Sequence, residues 1–151
     1  MTTRVRKNAA LAPGKAKAST HLNIVVFDNS PDIREEYEEA FRGKPVRVHV
    51  FEHAQVDETV CAQILAFRTD LIVLELMAAG SPEAGLRFMQ RIASTEALSA
   101  LPVVVCSRVV LNSPHGREIR RRCASLGAKG VFGTIPGLPS YTEIKMCLGS
   151  R

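Results

Sequence analysis

A regular alternation between short apolar runs and amphipathic segments restricts the fold of this chain more than any other feature. Five apolar runs occur in order, and these are LNIVVF, VRVHVF, LIVLEL, PVVVCS and KGVFG. Each run is followed by a segment whose apolar residues recur at helical spacing. Such alternation, with connections just long enough for right-handed crossovers, is typical of a parallel sheet covered by helices on both faces. We therefore predict five strands that alternate with five helices.

The second apolar run differs from the others in its pattern. VRVHVF alternates strictly between apolar and polar residues, which suits a half-exposed strand at the edge of a sheet. LIVLEL and PVVVCS are nearly continuous in apolar residues, as expected of strands that are covered on both faces. We therefore predict a flavodoxin-like, doubly wound α/β sheet with strand order 2-1-3-4-5, because this order puts the second strand at the edge.

Local signals predict where several helices begin. Ser30-Pro31-Asp32 offers an N-cap, a proline at the first helical position and an early acid, so the first helix is expected to start there. Ser81-Pro82 predicts the same start for the third helix, and residues 117–128 are expected to form the fourth. Ser140 and Glu143 predict a capping box on the fifth helix. The helical residues expected to face the core are Ile33, Tyr37, Ala40, Phe41, Val60, Ile64, Phe67, Leu86, Met89, Ile92, Ala93, Ile119, Cys123, Leu126, Tyr141, Ile144 and Leu148.

Charge is distributed unevenly along the chain. The formal net charge is +5, and residues 1–20 contain Lys and Arg residues but no Asp or Glu. The basic and acidic residues of the rest of the chain balance, which is not the overall basic footprint of a nucleic-acid-binding domain. We predict that residues 1–20 form a flexible basic tail, with at most a weak contact to anionic membranes, and that residues 21–151 form one domain.

The sequence also indicates the compartment in which the chain acts. No run approaches the roughly 18 consecutive apolar residues of a membrane span, and the N-terminus lacks the apolar segment of a secretory signal. The four cysteines, Cys61, Cys106, Cys123 and Cys147, are scattered without a CxxC pair. We therefore expect a soluble cytoplasmic protein with reduced thiols, without a disulfide framework or a cysteine metal site.

Polar side chains follow or end the predicted strands at their carboxyl ends. In order along the chain, they are Asp28, Asn29, Glu75, Ser107 and Thr134. Ligands and chemistry gather at this edge of a doubly wound sheet, near the point where the winding reverses. We therefore take these five residues as the candidate site.

With this site in place, the chain resembles the receiver domain of bacterial response regulators over about residues 22–149. FDNSPDIREEY is similar to the family's first strand with its acidic pair, and DLIVLEL is similar to the strand that ends in the phospho-accepting aspartate. GLRFMQRI is similar to the third helix, LPVVVCS to the strand that ends in Ser or Thr, and GAKGVFG to the entry to the fifth strand. The order and spacing of these segments carry the resemblance.

The resemblance implies a site for phosphoryl transfer, from which this chain departs. In the family, a partner's histidine donates the group to the aspartate, the acidic pair and that aspartate hold a divalent metal, and a lysine contacts the phosphate. Glu75 stands in place of the aspartate, Asn29 in place of the second acid and Thr134 in place of the lysine. Val131 stands where the family has its switching aromatic residue, whereas Ser107 keeps the hydroxyl.

These departures predict a pseudo-receiver that is not an enzyme and binds neither a metal nor a cofactor. The extra methylene of Glu75 displaces its carboxylate, and a misplacement of about 1 Å can lower a rate on the order of a hundredfold. Asn29 lacks the charge that a hard cation such as Mg²⁺ prefers. Because Thr134 is not a lysine, we also expect the counter-charge of a phosphate to be missing.

Two interpretations of Glu75 stay open at this point. It is either a strand-end acid that faces water, or a permanent negative charge that substitutes for the phosphorylated aspartate, with Ser107 or Thr134 as its hydrogen-bond donor. Asp28 is likewise either a solvated or capping acid or a functional one.

The predicted function is phosphorylation-independent signalling through protein–protein contact in a two-component-type pathway. The face made of the fourth helix, fifth strand and fifth helix is expected to bind an acidic surface of another protein or a second copy, as a homodimer. Its basic residues are Arg117, Arg120, Arg121, Arg122, Lys129 and Lys145. These residues could also be an ordinary solvated surface, although arginine is common at binding hot spots.

Two other functions remain as alternatives. The chain could be a phospho-accepting response regulator that uses Glu75, or a nucleic-acid-binding regulator that uses the basic tail and the arginine-rich fourth helix. A nucleotide-binding enzyme is disfavoured, because NSPD follows the first strand instead of a glycine-rich turn and AAGSPEAG lacks the lysine of a P-loop.

Overall fold

The computed structural model describes residues 20–109, 111–134 and 137–149, and within them it shows one parallel sheet of five strands. The strands are β1 (Leu22–Phe27), β2 (Val46–Phe51), β3 (Leu71–Leu74), β4 (Val103–Ser107) and β5 (Gly130–Gly133). The helices are α1 (Ile33–Ala40), α2 (Glu58–Ala66), α3 (Pro82–Ser94), α4 (Pro114–Ser125) and α5 (Tyr141–Cys147), and a 3-10 turn at Leu76–Ala79 joins β3 to α3. The predicted basic tail lies outside the described residues except for Thr20.

The strand order is β2-β1-β3-β4-β5, and each neighbouring pair is parallel. The predicted flavodoxin-like sheet is therefore confirmed, including the edge position of the alternating strand β2. Within the described part of the chain, no helix is long and apolar enough to cross a membrane.

Side chains of successive strand residues enter two separate cores, one on each face of the sheet. Val25 and Phe27 of β1 lie in the core shared with α2, α3 and α4. Ile24 and Val26 lie in the core shared with α1 and α5. Because β1, β3 and β4 are covered on both sides, their side chains are buried almost without interruption, which explains their apolar sequences.

α3 begins at Pro82 after the Ser81 cap, as expected, whereas α1 and α4 differ from the sequence-based expectation at their starts. α1 begins at Ile33, and the side chain of its N-cap residue Asp32 makes no capping hydrogen bond. The chain first turns at Asp28, because the Asp28 carboxylate accepts a hydrogen bond from the Ser30 N–H at 2.8 Å. α4 begins at Pro114, three residues earlier than predicted. The Ser113 hydroxyl accepts from the Gly116 N–H at 2.9 Å, and the missing N–H of a proline is tolerated at the first helical position.

The buried helical faces agree with the predicted ones with few exceptions. The capping box of Ser140 and Glu143 is present at the start of α5. Ala40 and Ala93 are exposed, so their predicted core positions are wrong, because the buried stripe of each helix is narrower than the apolar pattern. Phe88 of α3 is buried although it was not predicted, and its ring meets that of Phe27 edge-on.

Gly85 fixes how closely α3 approaches the turn that follows β3. A Cβ atom at this position would lie 2.5 Å from the carbonyl oxygen of Leu76, which is backbone and cannot move aside cheaply. Only a residue without a side chain permits this contact, and the contact holds the turn directly after Glu75 against α3.

Replacing Gly85 by Ala is expected to lower the free energy of unfolding by about 1–3 kcal/mol, because the added methyl group must displace the Leu76 backbone. The intrinsic helix preference of alanine, worth up to about 1 kcal/mol, opposes this cost but does not cancel it. Urea denaturation followed by circular dichroism measures the change. Gly137→Ala is the control, since its Cβ would meet nothing within 4 Å. Equal stabilities of the two variants would contradict the close packing at Gly85.

Candidate functional site

The carboxyl ends of four strands bring the candidate residues to one edge of the sheet. Phe27 of β1 pairs with Leu74 of β3, so Asp28 and Glu75 leave adjacent strands at the same level. Ser107 ends β4, and its carbonyl oxygen accepts a hydrogen bond from the Thr134 N–H at 3.0 Å. The structure therefore brings these four residues together as expected, whereas Asn29 is exposed.

Three of these side chains are buried polar groups. Glu75 is 1% exposed, Asp28 4% and Ser107 0%. Buried polar groups need hydrogen-bond partners, and buried carboxylates need donors or cations. The partners of these groups consequently decide what the site can do.

The carboxylate of Glu75 bridges the segments that follow β3 and β4. Its Oε1 atom accepts from the Met77 N–H at 3.0 Å, and its Oε2 atom accepts from the Arg108 N–H at 3.2 Å. The interpretation of Glu75 as an acid that faces water is therefore wrong. The expected donors are also wrong: among the described residues, backbone N–H groups donate to Glu75, and the Ser107 hydroxyl instead accepts from the Val109 N–H at 3.1 Å.

Arg108 supplies a positive charge that was not predicted from the sequence. Its Nη2 atom donates to Oδ1 of Asp28 at 3.0 Å, and that oxygen also accepts from the Ser30 N–H. The Arg108 side chain is 45% exposed, whereas that of Asp28 is 5% exposed. The expectation of a site without a counter-charge is therefore wrong. An arginine directly after the last residue of β4 was the available signal, since it must emerge at the same edge as Asp28.

Burial raises the pKa of Glu75 above its ordinary value of about 4.5, since it removes the charged form from water. The Met77 N–H lowers the pKa in opposition, the Asp28 charge raises it further, and the Arg108 guanidinium lowers it. The carboxylate therefore carries an electrostatic cost in the folded chain that its donors only partly offset.

The thiol beside this edge is not a nucleophile. Cys106 of β4 is 2% exposed, and burial raises the pKa of its thiol far above the ordinary range. Tyr37 of α1 is buried beside it with its pKa also raised by burial, so both groups stay neutral. Cys106 is thus a core residue, as its apolar strand indicated.

The residues that the resemblance implies as metal ligands do not fit a divalent cation. One oxygen of Asp28 is engaged by the Arg108 guanidinium, both oxygens of Glu75 accept backbone N–H groups, and Asn29 is exposed. A cation there would also face the positive charge of Arg108. In the part of the chain that the structure describes, no group of three or more His, Cys, Asp and Glu side chains is arranged to hold a metal ion.

The predicted partner-binding residues divide between several surroundings. Exposed Arg117 and Arg120 donate to the carbonyl oxygens of Asn112 and Val131, at 2.7 and 3.0 Å. Exposed Arg121 pairs with Glu118 one helical turn away. These three arginines line the outer side of α4 and its border with β5.

The other three predicted residues lie elsewhere. Half-buried Arg122 forms a two-fold ion pair with Glu83, which ties α4 to α3. Lys129 borders a cleft of about 450 Å³ at the amino ends of β4 and β5, and Lys145 borders a separate cleft beside Thr20. A role in partner binding stays a prediction for all six residues.

Comparison with known proteins agrees with this geometry at the level of the fold. No protein-family model matches the chain, and no curated protein matches its sequence. A response regulator from Thermotoga maritima is similar in structure with a TM-score of 0.65 at 17% identity, covering 86% of this chain and 99% of that one. A receiver protein from Burkholderia phymatum has a TM-score of 0.62 at 16% identity, covering 86% and 97%.

A signal receiver domain of a histidine kinase from Clostridium thermocellum has a TM-score of 0.60 at 13% identity, covering 85% of this chain and 98% of that one. The expected similarity to receiver domains is therefore confirmed, and this chain has their fold. Identities this low show the fold and nothing finer.

Removing the guanidinium of Arg108 is expected to destabilise the chain through Asp28. Arg108→Met keeps much of the side-chain bulk but leaves the buried Asp28 carboxylate without its cation. A double-mutant cycle with Asp28→Asn, measured by urea denaturation, should show a coupling of about 0.5–1 kcal/mol, at the low end because Arg108 is half-exposed. Additive effects of the two substitutions would exclude the ion pair. Arg34→Met is a control for the loss of an arginine near the same edge.

Titration of Glu75 is expected to link stability to pH. The pKa of Glu75 is raised in the folded chain, so the folded chain binds the proton more tightly than the unfolded chain does. Protonation of this carboxyl therefore adds to the stability at low pH. This gain is lost as the pH rises through the folded pKa. The wild type should therefore gain stability relative to Glu75→Gln as pH falls from neutral. Carbon NMR of the carboxyl group should give a midpoint above 4.5. A midpoint below that value would contradict the effect of burial.

Proposed function

We propose that this domain is a phosphorylation-independent signalling adaptor, a pseudo-receiver that acts by binding another protein in a two-component-type pathway. The observation that carries the proposal is the state of the two carboxylates at the strand ends. Glu75 is occupied by backbone N–H donors, and Asp28 is occupied by Arg108. The receiver fold supports a signalling role, and these contacts support a role without phosphoryl transfer.

Phosphoryl transfer depends on an accessible nucleophile and on neutralisation of charge by metal ions and cationic side chains. The Glu75 oxygens are buried, and their lone pairs are directed at N–H groups rather than at a phosphorus atom. The cation beside them is the guanidinium of Arg108, which occupies the Asp28 oxygen that would otherwise be available to a metal. Acceptance of a phosphoryl group would require several of these contacts to break first.

The same contacts support a constitutive role for the charge of Glu75. Its carboxylate holds the first residue of the connection between β4 and α4 through the Arg108 N–H. In a receiver that is switched by phosphorylation, contacts of this kind would depend on the transferred group. Here a side chain makes the contact permanently, so that α4 and the surface around it stay in one arrangement.

The partner is proposed to be an acidic protein surface or a second copy of the chain. Arg117, Arg120 and Arg121 are exposed on α4. Arg117 and Arg120 each donate to one backbone carbonyl oxygen, and Arg121 forms an exposed ion pair, a contact that contributes little to stability. Their present partners can therefore be exchanged for the carboxylates of another protein at small cost. We further propose that this contact forms in the cytoplasm, where the four free cysteines stay reduced.

Incubation with acetyl phosphate and Mg²⁺ is expected to leave the mass of the intact chain unchanged, because Glu75 is buried and already hydrogen-bonded. A receiver domain with an aspartate at the equivalent position serves as the positive control in the same buffer. Mass spectrometry of the intact proteins makes the measurement. An adduct of one phosphoryl group per chain on Glu75 would overturn the proposal in favour of a working phospho-acceptor.

Charge reversal of Arg121 tests the proposed binding surface. Arg121→Glu is expected to weaken association with the partner or second copy at least about tenfold, measured by sedimentation or surface plasmon resonance. Arg42→Glu is a matched control, since Arg42 and Arg121 are both 76% exposed and both pair with a glutamate three residues earlier. Equal effects of the two reversals would mean that net charge, and not the α4 surface, governs the association.

A further inference from the structure

A third cleft lies beside the Glu75 site, between the β4–α4 connection, α4 and the end of β5. Its volume is about 360 Å³, which is within the range of small-molecule sites. The polar residues that line it include Arg108, Arg120, Asn112 and Thr134. Asp28 and Glu75 are not among the residues that line it. We call this space the anion cleft.

The guanidinium groups of Arg108 and Arg120 keep most of their donors available to an anion. Among the described residues, Arg120 donates one hydrogen bond, from Nη1 to the Val131 carbonyl at 3.0 Å. The Arg108 guanidinium also donates one, from Nη2 to Asp28. A guanidinium carries five N–H donors and cannot lose its charge at ordinary pH, so each still presents several donors to an anion.

We infer that the anion cleft binds a phosphate monoester, or inorganic phosphate, without forming a covalent bond. Two arginines and a threonine line the cleft from three different elements, since Arg108 follows β4, Arg120 lies on α4 and Thr134 follows β5. A tetrahedral dianion has oxygens that can meet donors from three directions and a charge that matches two arginines. A single carboxylate has two oxygens in one plane and satisfies only one guanidinium well.

The size and remaining lining of the cleft indicate that the phosphate carries an organic group. The volume leaves space beyond a phosphate ion, and Val109 and Leu111 supply apolar walls for that group. None of the described residues that line the cleft is aromatic, so a stacked nucleobase is not indicated. The chemical class is therefore a small aliphatic or sugar-like phosphate monoester.

Occupation of the anion cleft would be coupled to the Glu75 site through Arg108. The guanidinium of Arg108 contacts Asp28, and its backbone N–H contacts Glu75. A dianion in the cleft competes with Asp28 for the guanidinium, so that binding changes the contacts at the ends of β1 and β4. A free phosphate compound would thus act on the connection before α4 without phosphoryl transfer, which goes beyond the adaptor function proposed above.

Amide NMR of the isolated chain tests this inference. Titration with glycerol 3-phosphate and with inorganic phosphate is expected to shift the amide signals of Arg108, Gly133 and Thr134 saturably, with half-saturation at or below about 1 mM. Sodium chloride at matched ionic strength controls for screening, and succinate tests a dicarboxylate of the same charge. Equal affinity for succinate would overturn the assignment to phosphates.

Two neighbouring arginines supply the matched variants. Arg120→Gln is expected to weaken phosphate binding at least about tenfold, because one charge of the pair is lost. Arg121→Gln, on the adjacent position of α4 but outside the cleft, should leave binding unchanged. Arg120→Lys keeps the positive charge, so it separates the effect of that charge from the effect of losing the hydrogen bond to Val131. The spectra also report whether each variant is folded. Shifts that do not saturate, or equal weakening by both Gln variants, would overturn the inference, whatever the outcome for protein–protein association.

Discussion

The buried carboxylate of Glu75 requires hydrogen-bond donors, and the way it obtains them joins two parts of the chain that are distant in sequence. An unpaired charge in a protein interior costs several kcal/mol, so a carboxylate that is 1% exposed cannot be left without partners. The N–H groups of Met77 and Arg108 satisfy it from the turn after β3 and the connection after β4. Both segments are therefore held in one conformation, and the conformation of the edge depends on this one side chain.

Two acids at neighbouring strand ends also create an electrostatic problem, because like charges in a poorly solvated site repel one another. The Asp28 charge raises the pKa of Glu75, and the guanidinium of Arg108 lowers it. A bound cation is one way to neutralise such a pair, and an arginine from the same chain is another. The second arrangement needs no ligand, and it supports the proposed role without phosphoryl transfer.

The sequence was sufficient for the fold and for most of the edge, and the reason is periodicity. The apolar pattern of a strand or a helix can be recognised within a short stretch of sequence. The strand order and the positions of Asp28, Glu75 and Ser107 could therefore be predicted from such patterns. The position of Arg108 directly after β4 places it at this edge, but its partner was not predicted, since Asp28 lies 80 residues earlier in the chain. The start of α1 was misplaced for a local reason: the Asp28 carboxylate accepts from the Ser30 N–H, and the helix begins only at Ile33.

The interior position of β1, between β2 and β3, has a consequence for how the chain folds as it is made. β1 pairs with β2 through a short helical connection, but its other edge stays open until β3, which ends at Leu74, is available. With only the first two strands present, the backbone groups on one side of the apolar strand β1 have no pairing partner. Parallel pairing between strands that are distant in sequence forms slowly, and the unpaired strand edges are prone to aggregation in the meantime. On a ribosome, β1 and β2 emerge first, and β1 gains its second pairing partner only when β3 has also emerged.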